Sequence, residues 1–352
     1  MIEIIEEKKH WDSFVSSFKE SDVYHTFDYH HITKCNDKPI LIRYCDGAAC
    51  IGLPLLIRKI PDTPFYDATS VYGYPGPLYK NISEGFDNTL FSKEIREYFT
   101  ENNIVSVFSR LNPFIPFQRE LLKGIGQINK KGVVVNIDLK KPIEQQRMEF
   151  GRRLKGQLNK VRRHCIVKKA ENDEDLQSFV EIYRENMDRV NANSMYYFDD
   201  EYFKVLTESN SFHTETLLAL HKDSGETIGG SMFIYKNSLV HYHLSGTRDK
   251  YLPLMPTKLL IDHMRIKATH MGFTQLNMGG GLSSANDSLL RFKTSFSKSK
   301  MDFCVWKLIV LPNIYQRLTE GQKPQNSVDF FPAYRSDNNG SCNQQESKFF
   351  NN

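Results

Sequence analysis

The sequence predicts an α/β (α+β) chain of two like units, each a mixed, mostly antiparallel sheet flanked by helices. Three observations predict it. At 352 residues the chain exceeds one ordinary domain. Its first half reads hairpin, strand, helix, strand, and its second half repeats that order. The repeat ends at residues 239–296 in a strand, a turn, an amphipathic helix, a second strand and a triple glycine.

The elements follow in order. ILIRYCDG and AACIGLPLLIRKI form a hairpin across Asp46-Gly47. DATSVYGYPGPLY is a strand that runs into glycine and proline. LFSKEIREYFTENN is helical, and IVSVFSRLNPF is a strand stopped at Asn112-Pro113. VVVNIDL closes the first unit. In the second half ETLLALHKDSG and ETIGGSMFIY pair around Asp223 to Gly225. SLVHYHLSG alternates as a half-buried strand. Pro256 opens a helix at a position that tolerates proline. Leu259, Leu260, Met264, Ile266 and Ala268 give that helix its apolar face. TQLNM is a short strand stopped by Gly279, Gly280 and Gly281. The expected domains are 1–140, 141–315, and a polar, partly disordered tail at 316–352. Within the tail, VDFFPAYR (328–335) has enough apolar mass to dock.

Composition narrows the function classes. A net charge of +4 does not mark a nucleic-acid binder, and no DNA partner is expected. The start MIEIIEEKKHWDSF lacks the pattern of a signal peptide, and no run is long and apolar enough for a membrane span. The six scattered cysteines lack CxxC spacing. They are expected to be reduced thiols in the cytoplasm, with no metal site. His25, His30 and His31 lack the acidic cluster a metal would need.

Leu244-Ser245-Gly246, Pro256, Gly279 to Gly281 and Arg291-Phe292-Lys293 with Phe296 occur in an order that resembles the GNAT acyltransferase superfamily. The resemblance is to its Fem-type, peptidoglycan-bridge aminoacyltransferase-like branch. The basic block FGRRLKGQLNKVRRHCIVKKA (150–170) resembles the helix that precedes the second domain in that branch, and about residues 10–310 are covered. The resemblance implies tandem GNAT domains, the first on the acceptor side and the second on the acyl-donor side. It implies no tightly bound cofactor. The co-substrate would be an acyl-CoA or an aminoacyl-tRNA.

The candidate site residues fall in three groups. The turn before the second-half helix, with Tyr251, Leu252, Leu254, Met255, Thr257 and Lys258, is placed to offer backbone amides to a donor phosphate. It lacks the glycines of the usual acetyl-CoA loop, which counts against ordinary acetyl-CoA use and fits Fem-like chains. Phe292 and Lys293 match the branch's Phe-Lys pair. There the resemblance implies a lysine that steadies the tetrahedral intermediate and an aromatic ring that holds it by a cation–π contact. Tyr66, Asp67, Tyr72 and Tyr74 are implied to shape the acceptor groove, with Asp67 able to take a proton from the amine. Arg189 and Tyr196 lie where the branch places acceptor contacts, and His243 lies beside the donor site. Arg152 to Lys169 holds eight Lys/Arg and no acid. It suits an RNA backbone or a phosphate-bearing precursor, and equally a solvated helix.

The function expected is transfer of an acetyl, acyl or aminoacyl group to an amine of a cell-envelope precursor. The acceptor would be an amino sugar of a surface polysaccharide or a peptidoglycan peptide, with peripheral contact to a lipid-linked substrate. The alternative is a non-catalytic RNA- or precursor-binding module on the same scaffold.

Overall fold

The computed structural model describes residues 1–281, 287–320 and 330–336. The chain forms two compact units, Met1–Val133 with the chain from Met301, and Val134–Gly281 with residues 287–300.

Unit 1 begins with β1 (Ile2–Ile5), α1 (Lys8–Ser16) and α2 (Phe27–Thr33). The expected hairpin is β2 (Lys38–Asp46) and β3 (Ala49–Lys59), with Gly47 in the left-handed region at the turn. β4 (Tyr66–Thr69) and β5 (Leu78–Lys80) bracket the loop rich in glycine and proline. α3 (Thr89–Glu101), β6 (Ile104–Arg110) and the short α4 (Gln118–Leu121) follow. β6 is buried throughout, as a strand covered on both faces should be. It pairs parallel to β4, and α3 makes the crossover between them. The core gathers Leu53, Phe91, Phe99, Val107 and Trp306.

β7 (Gln127–Asp138) carries the chain into unit 2. There α5 (Ile143–Met148), α6 (Arg152–His164), β8 (Cys165–Lys169), α7 (Asp173–Arg189) and α8 (Asp200–Glu208) precede the second hairpin. That hairpin is β9 (His213–His221) with β10 (Thr227–Lys236). β11 (Leu239–Thr247), α9 (Pro256–His270), β12 (Gln275–Gly279) and α10 (Ser288–Thr294) complete the unit. β13 (Lys300–Ile309) and α11 (Pro312–Thr319) return the chain to unit 1.

The two strand orders are alike. Unit 1 runs β1-β2-β3-β4-β6-β13 and unit 2 runs β7-β12-β11-β10-β9-β8. Each holds one parallel pair joined through a helix, β4/β6 and β11/β12. Helix α7 can lie close on its sheet because Gly230 and Gly246 stand under it. A Cβ on Gly230 would come 2.5 Å from Phe179.

Two expectations need correction. The chain divides at 133/134 rather than 140/141, and residues 301–309 belong to unit 1, because β13 hydrogen-bonds to β6 and buries Trp306 there. The cysteines are not all reduced. Cys45 and Cys50, opposite each other in the β2/β3 hairpin, form a disulfide, while Cys165 and Cys304 are free and buried. The polar tail expected from residue 316 falls mostly on 321–329 and 337–352, outside the described residues. The end of α11 reaches into it, and Phe330, Phe331 and Tyr334 pack as buried side chains.

Candidate functional site

The site in unit 2 is built from β11, β12 and the helix tips beside them. β11 has nine residues, yet it pairs with β12 at three positions only, Leu239 to His241 against Gln275 to Asn277. Past that point the two strands no longer pair with each other. On its other edge β11 is bulged. Met232 faces Leu244 and Phe233 faces Tyr242, so His243 is the extra residue. A bulge leaves backbone groups outside the ladder and re-aims its side chains.

A polar chain runs along this gap. The Asn277 amide contacts His241 Nδ1 at 3.2 Å, and Asn277 Oδ1 accepts the Gly279 N–H at 2.8 Å. Gly279 is in the left-handed region. A Cβ there would stand 3.1 Å from Lys293 Nζ, so glycine lets the lysine approach. Lys293 Nζ donates to Gly280 O at 2.6 Å. Lys293 is 9% exposed, and burial lowers its pKa to about 8, with Asp287 pulling the other way. Asp287 caps α10 through the Leu290 N–H at 2.7 Å, which fixes the helix that carries the lysine.

The expected cation–π pairing is redistributed. The ammonium over the Phe292 ring is that of Lys258, at 5.7 Å, while Lys293 is held by the Gly280 carbonyl. This contact joins the tip of α9 to α10 and so brings two of the expected groups together. Lys258 also donates to Gln157 Oε1 at 2.6 Å, and its pKa is lowered by burial and then by the Arg153 charge. Arg153 and Gln157 lie in the basic block singled out from the sequence, but neither was tied to the donor turn. Their place beside α9 arises only when α6 packs there.

The turn before α9 is a 3-10 helix, Asp249–Leu254, closed by Met255 in the left-handed conformation. The tip has fewer open amides than expected. Pro256 has none, and the Lys258 N–H is taken by Met255 O at 3.1 Å, which leaves Thr257. Tyr251 is turned in, its hydroxyl donating to Glu226 at 2.7 Å, whereas Leu252 is 39% exposed and Leu254 half-buried. His243 meets the Tyr202 hydroxyl at 2.8 Å through Nε2, and burial together with the nearby His241 lowers its pKa to about 3. It is a neutral imidazole near pH 7.

The remaining expected residues are placed otherwise. Arg189 is consumed within its own unit by Asp249 at 2.5 Å, by Thr247 O at 3.1 Å and by Asn186. It ties α7 to the end of β11 rather than presenting a free fork. Tyr196 O accepts the Tyr183 hydroxyl at 2.7 Å. In unit 1, Asp67 is fully buried and bonded to Arg58 at 2.6 Å, Arg335 at 2.5 Å and Tyr334 at 3.2 Å. A carboxylate locked between two guanidiniums has no place for an incoming amine, so the structure gives Asp67 a packing role, not that of a base. Tyr66 lies under Lys59 at 4.5 Å. Tyr72 lies beside Arg110, and Tyr74 packs against Tyr24 and Phe303.

Residues 207–299 match the FemAB family. No curated protein matches the chain by sequence. Among solved structures the fold is similar to FemX (14% identity, TM-score 0.66, 90% of this chain and 99% of that one). It is also similar to L-PGS from Bacillus licheniformis (13%, 0.56, 86% and 92%). A third likeness is the C-terminal domain of a putative lysylphosphatidylglycerol synthetase from Agrobacterium fabrum (11%, 0.55, 85% and 92%).

Proposed function

We propose that the chain is of the Fem type within the GNAT superfamily and is a transferase moving an acyl or aminoacyl group from an activated carbonyl donor to an amine of a cell-envelope precursor. The observation that carries this reading is the place past His241 and Asn277 where β11 and β12 no longer pair with each other, with β11 bulged at His243 and Lys293 held against Gly279 and Gly280. An acyl carbonyl between separating strands meets backbone donors from the bulge and a nearby ammonium. The amine attacks that carbonyl, and charge develops on its oxygen. Collapse expels the CoA thiol or the tRNA ribose hydroxyl, which takes up a proton as the amine loses one. The name of one structural neighbour, a putative lysylphosphatidylglycerol synthetase, supports an aminoacyl group and a lipid-linked acceptor.

A second observation supports a phosphate-bearing donor. Lys258 and Arg153 stand together at the N-terminus of α9, where the helix dipole disfavours cations. A bound phosphate would reverse that balance. Arg152, Lys160 and Arg163 on α6 are exposed or half-buried and without acidic partners among the described residues. This face suits either CoA or tRNA.

The test is a thermal shift against a CoA-ester panel and against bulk aminoacylated tRNA, then mass spectrometry of an amine pool incubated with the stabilising donor. The expected result is one donor class that raises Tm and one amine gaining the acyl mass. Stabilisation with no modified amine under any donor would leave a binding module instead.

A further inference from the structure

Arg110 ends β6 and is 7% exposed. Its guanidinium lies over the Tyr72 ring at 5.8 Å and the Phe108 ring at 5.3 Å. Rings supply no acceptors for five N–H donors. Among the described residues this side chain makes no hydrogen bond and no ion pair. Other buried arginines do. Arg58 and Arg335 share Asp67, and Arg265 takes Asp262 at 2.8 Å and Gln146 at 2.8 Å. No Arg110 nitrogen is sealed from water, so the guanidinium keeps an opening to solvent.

The surroundings are rigid. The Tyr72–Pro77 loop turns at Gly73, where a Cβ would overlap the Tyr24 ring, and at Gly76, where one would overlap the Gln118 amide. Gln118 donates to Pro77 O at 2.8 Å and accepts the Asn112 N–H at 2.7 Å. His25 Nε2 donates to Pro75 O at 2.5 Å, while His25 Nδ1 accepts the Asp22 N–H at 3.0 Å. Burial pushes the Tyr74 phenol well up, so it remains a donor, and it feels the Arg110 charge. A partly desolvated guanidinium with no counter-ion is costly, and a planar oxyanion meets it two bonds at a time.

We propose that Arg110, flanked by Tyr72 and Tyr74, is an oxyanion-binding site of unit 1 that grips a phosphate or carboxylate of the amine acceptor. Calling the anion the acceptor's rests on the proposed transfer; the anion site does not.

The experiment uses the full chain. Phenylglyoxal labelling of Arg110 is followed by peptide mass spectrometry with and without inorganic pyrophosphate or acetate, and the half-buried Arg43, paired with Glu3, serves as reference. Arg110 labelling should slow at least fivefold with one of the two anions while Arg43 is unchanged. Protection by pyrophosphate alone assigns a phosphate-linked acceptor, and protection by acetate alone a peptide carboxylate. Calorimetry with the protecting anion should lose that site in Arg110→Gln and weaken it about tenfold in Arg110→Lys, which keeps charge but not the fork. Equal labelling with and without both anions overturns the proposal, as does wild-type affinity in a folded Arg110→Gln. If that variant does not fold, the wild-type labelling decides. Turnover without protection sinks this inference and spares the transfer reading; protection without product does the reverse.

Discussion

In the proposed transfer, Lys293 is the residue on which the chemistry turns. Burial lowers its pKa to about 8, so it is charged near pH 7 and neutral above about 9. If its charge supports the transition state, the rate falls as pH rises through about 8, which a pH–kcat profile with the stabilising donor checks. Stability moves the other way. Between about 8 and the ordinary lysine value the unfolded chain binds the proton that the folded one has released, so stability rises with pH there. Lys293→Met should cut kcat at least a hundredfold, about 2.7 kcal/mol, while Tm stays unchanged or rises as a desolvated charge is removed. Full activity in this variant would remove the lysine from the mechanism. His30 is fully buried, and desolvation lowers its pKa to about 3. From about pH 6.5 downward the unfolded chain gains a proton that the folded one refuses. The folded state should therefore lose up to roughly 1.4 kcal/mol per pH unit from this residue. Urea titrations at pH 7 and pH 5 measure it, and His30→Asn should flatten the difference.

At the scale of elements, the Tyr72–Pro77 loop and the β2/β3 turn make a controlled pair. Both need a left-handed glycine, but only Gly73 is also hemmed in by an aromatic ring. Gly47→Ala should cost about 1 kcal/mol for backbone conformation alone. Gly73→Ala adds a steric term and should cost about 3 kcal/mol or more. Equal Tm losses would mean that the loop does not pack on Tyr24 as described. The same scale explains Asp67. It sits on β4, next to the strand that holds Arg58 and within reach of Arg335 from residues 333–335. Asp67→Asn should destabilise the chain by roughly 3 kcal/mol or more, because it leaves two buried guanidiniums short of charge.

At the scale of the molecule, unit 1 is discontinuous in sequence. β13 pairs with β6, and Trp306, wholly buried, donates from its indole to Ile125 O. A chain ended at residue 300 should therefore lose the unit 1 transition in calorimetry, although most of unit 1 precedes residue 134. Retention of two transitions would show that β13 is dispensable.

The repeated order of hairpin, strand, helix and strand was legible because each element carries its own period, turn residue or cap. Pro256, Gly47 and the apolar face of α9 are local facts, and local facts survive in one dimension. The neighbourhood of Lys293 was legible in part, through the order of Gly279 to Gly281 and Phe292-Lys293. That Gly280 rather than Phe292 holds the lysine was not. Asp67 and Arg110 show the limit most clearly. Each is a charged residue at a strand end, and nothing in the flanking letters tells them apart. Packing delivered Arg58, Arg335 and Tyr334 to the first and two aromatic faces to the second. Secondary structure follows from short-range sterics and hydrophobic period, so the sequence alone determined it. Whether a buried charge is answered depends on partners up to 268 residues away in sequence, and only the tertiary structure decided that.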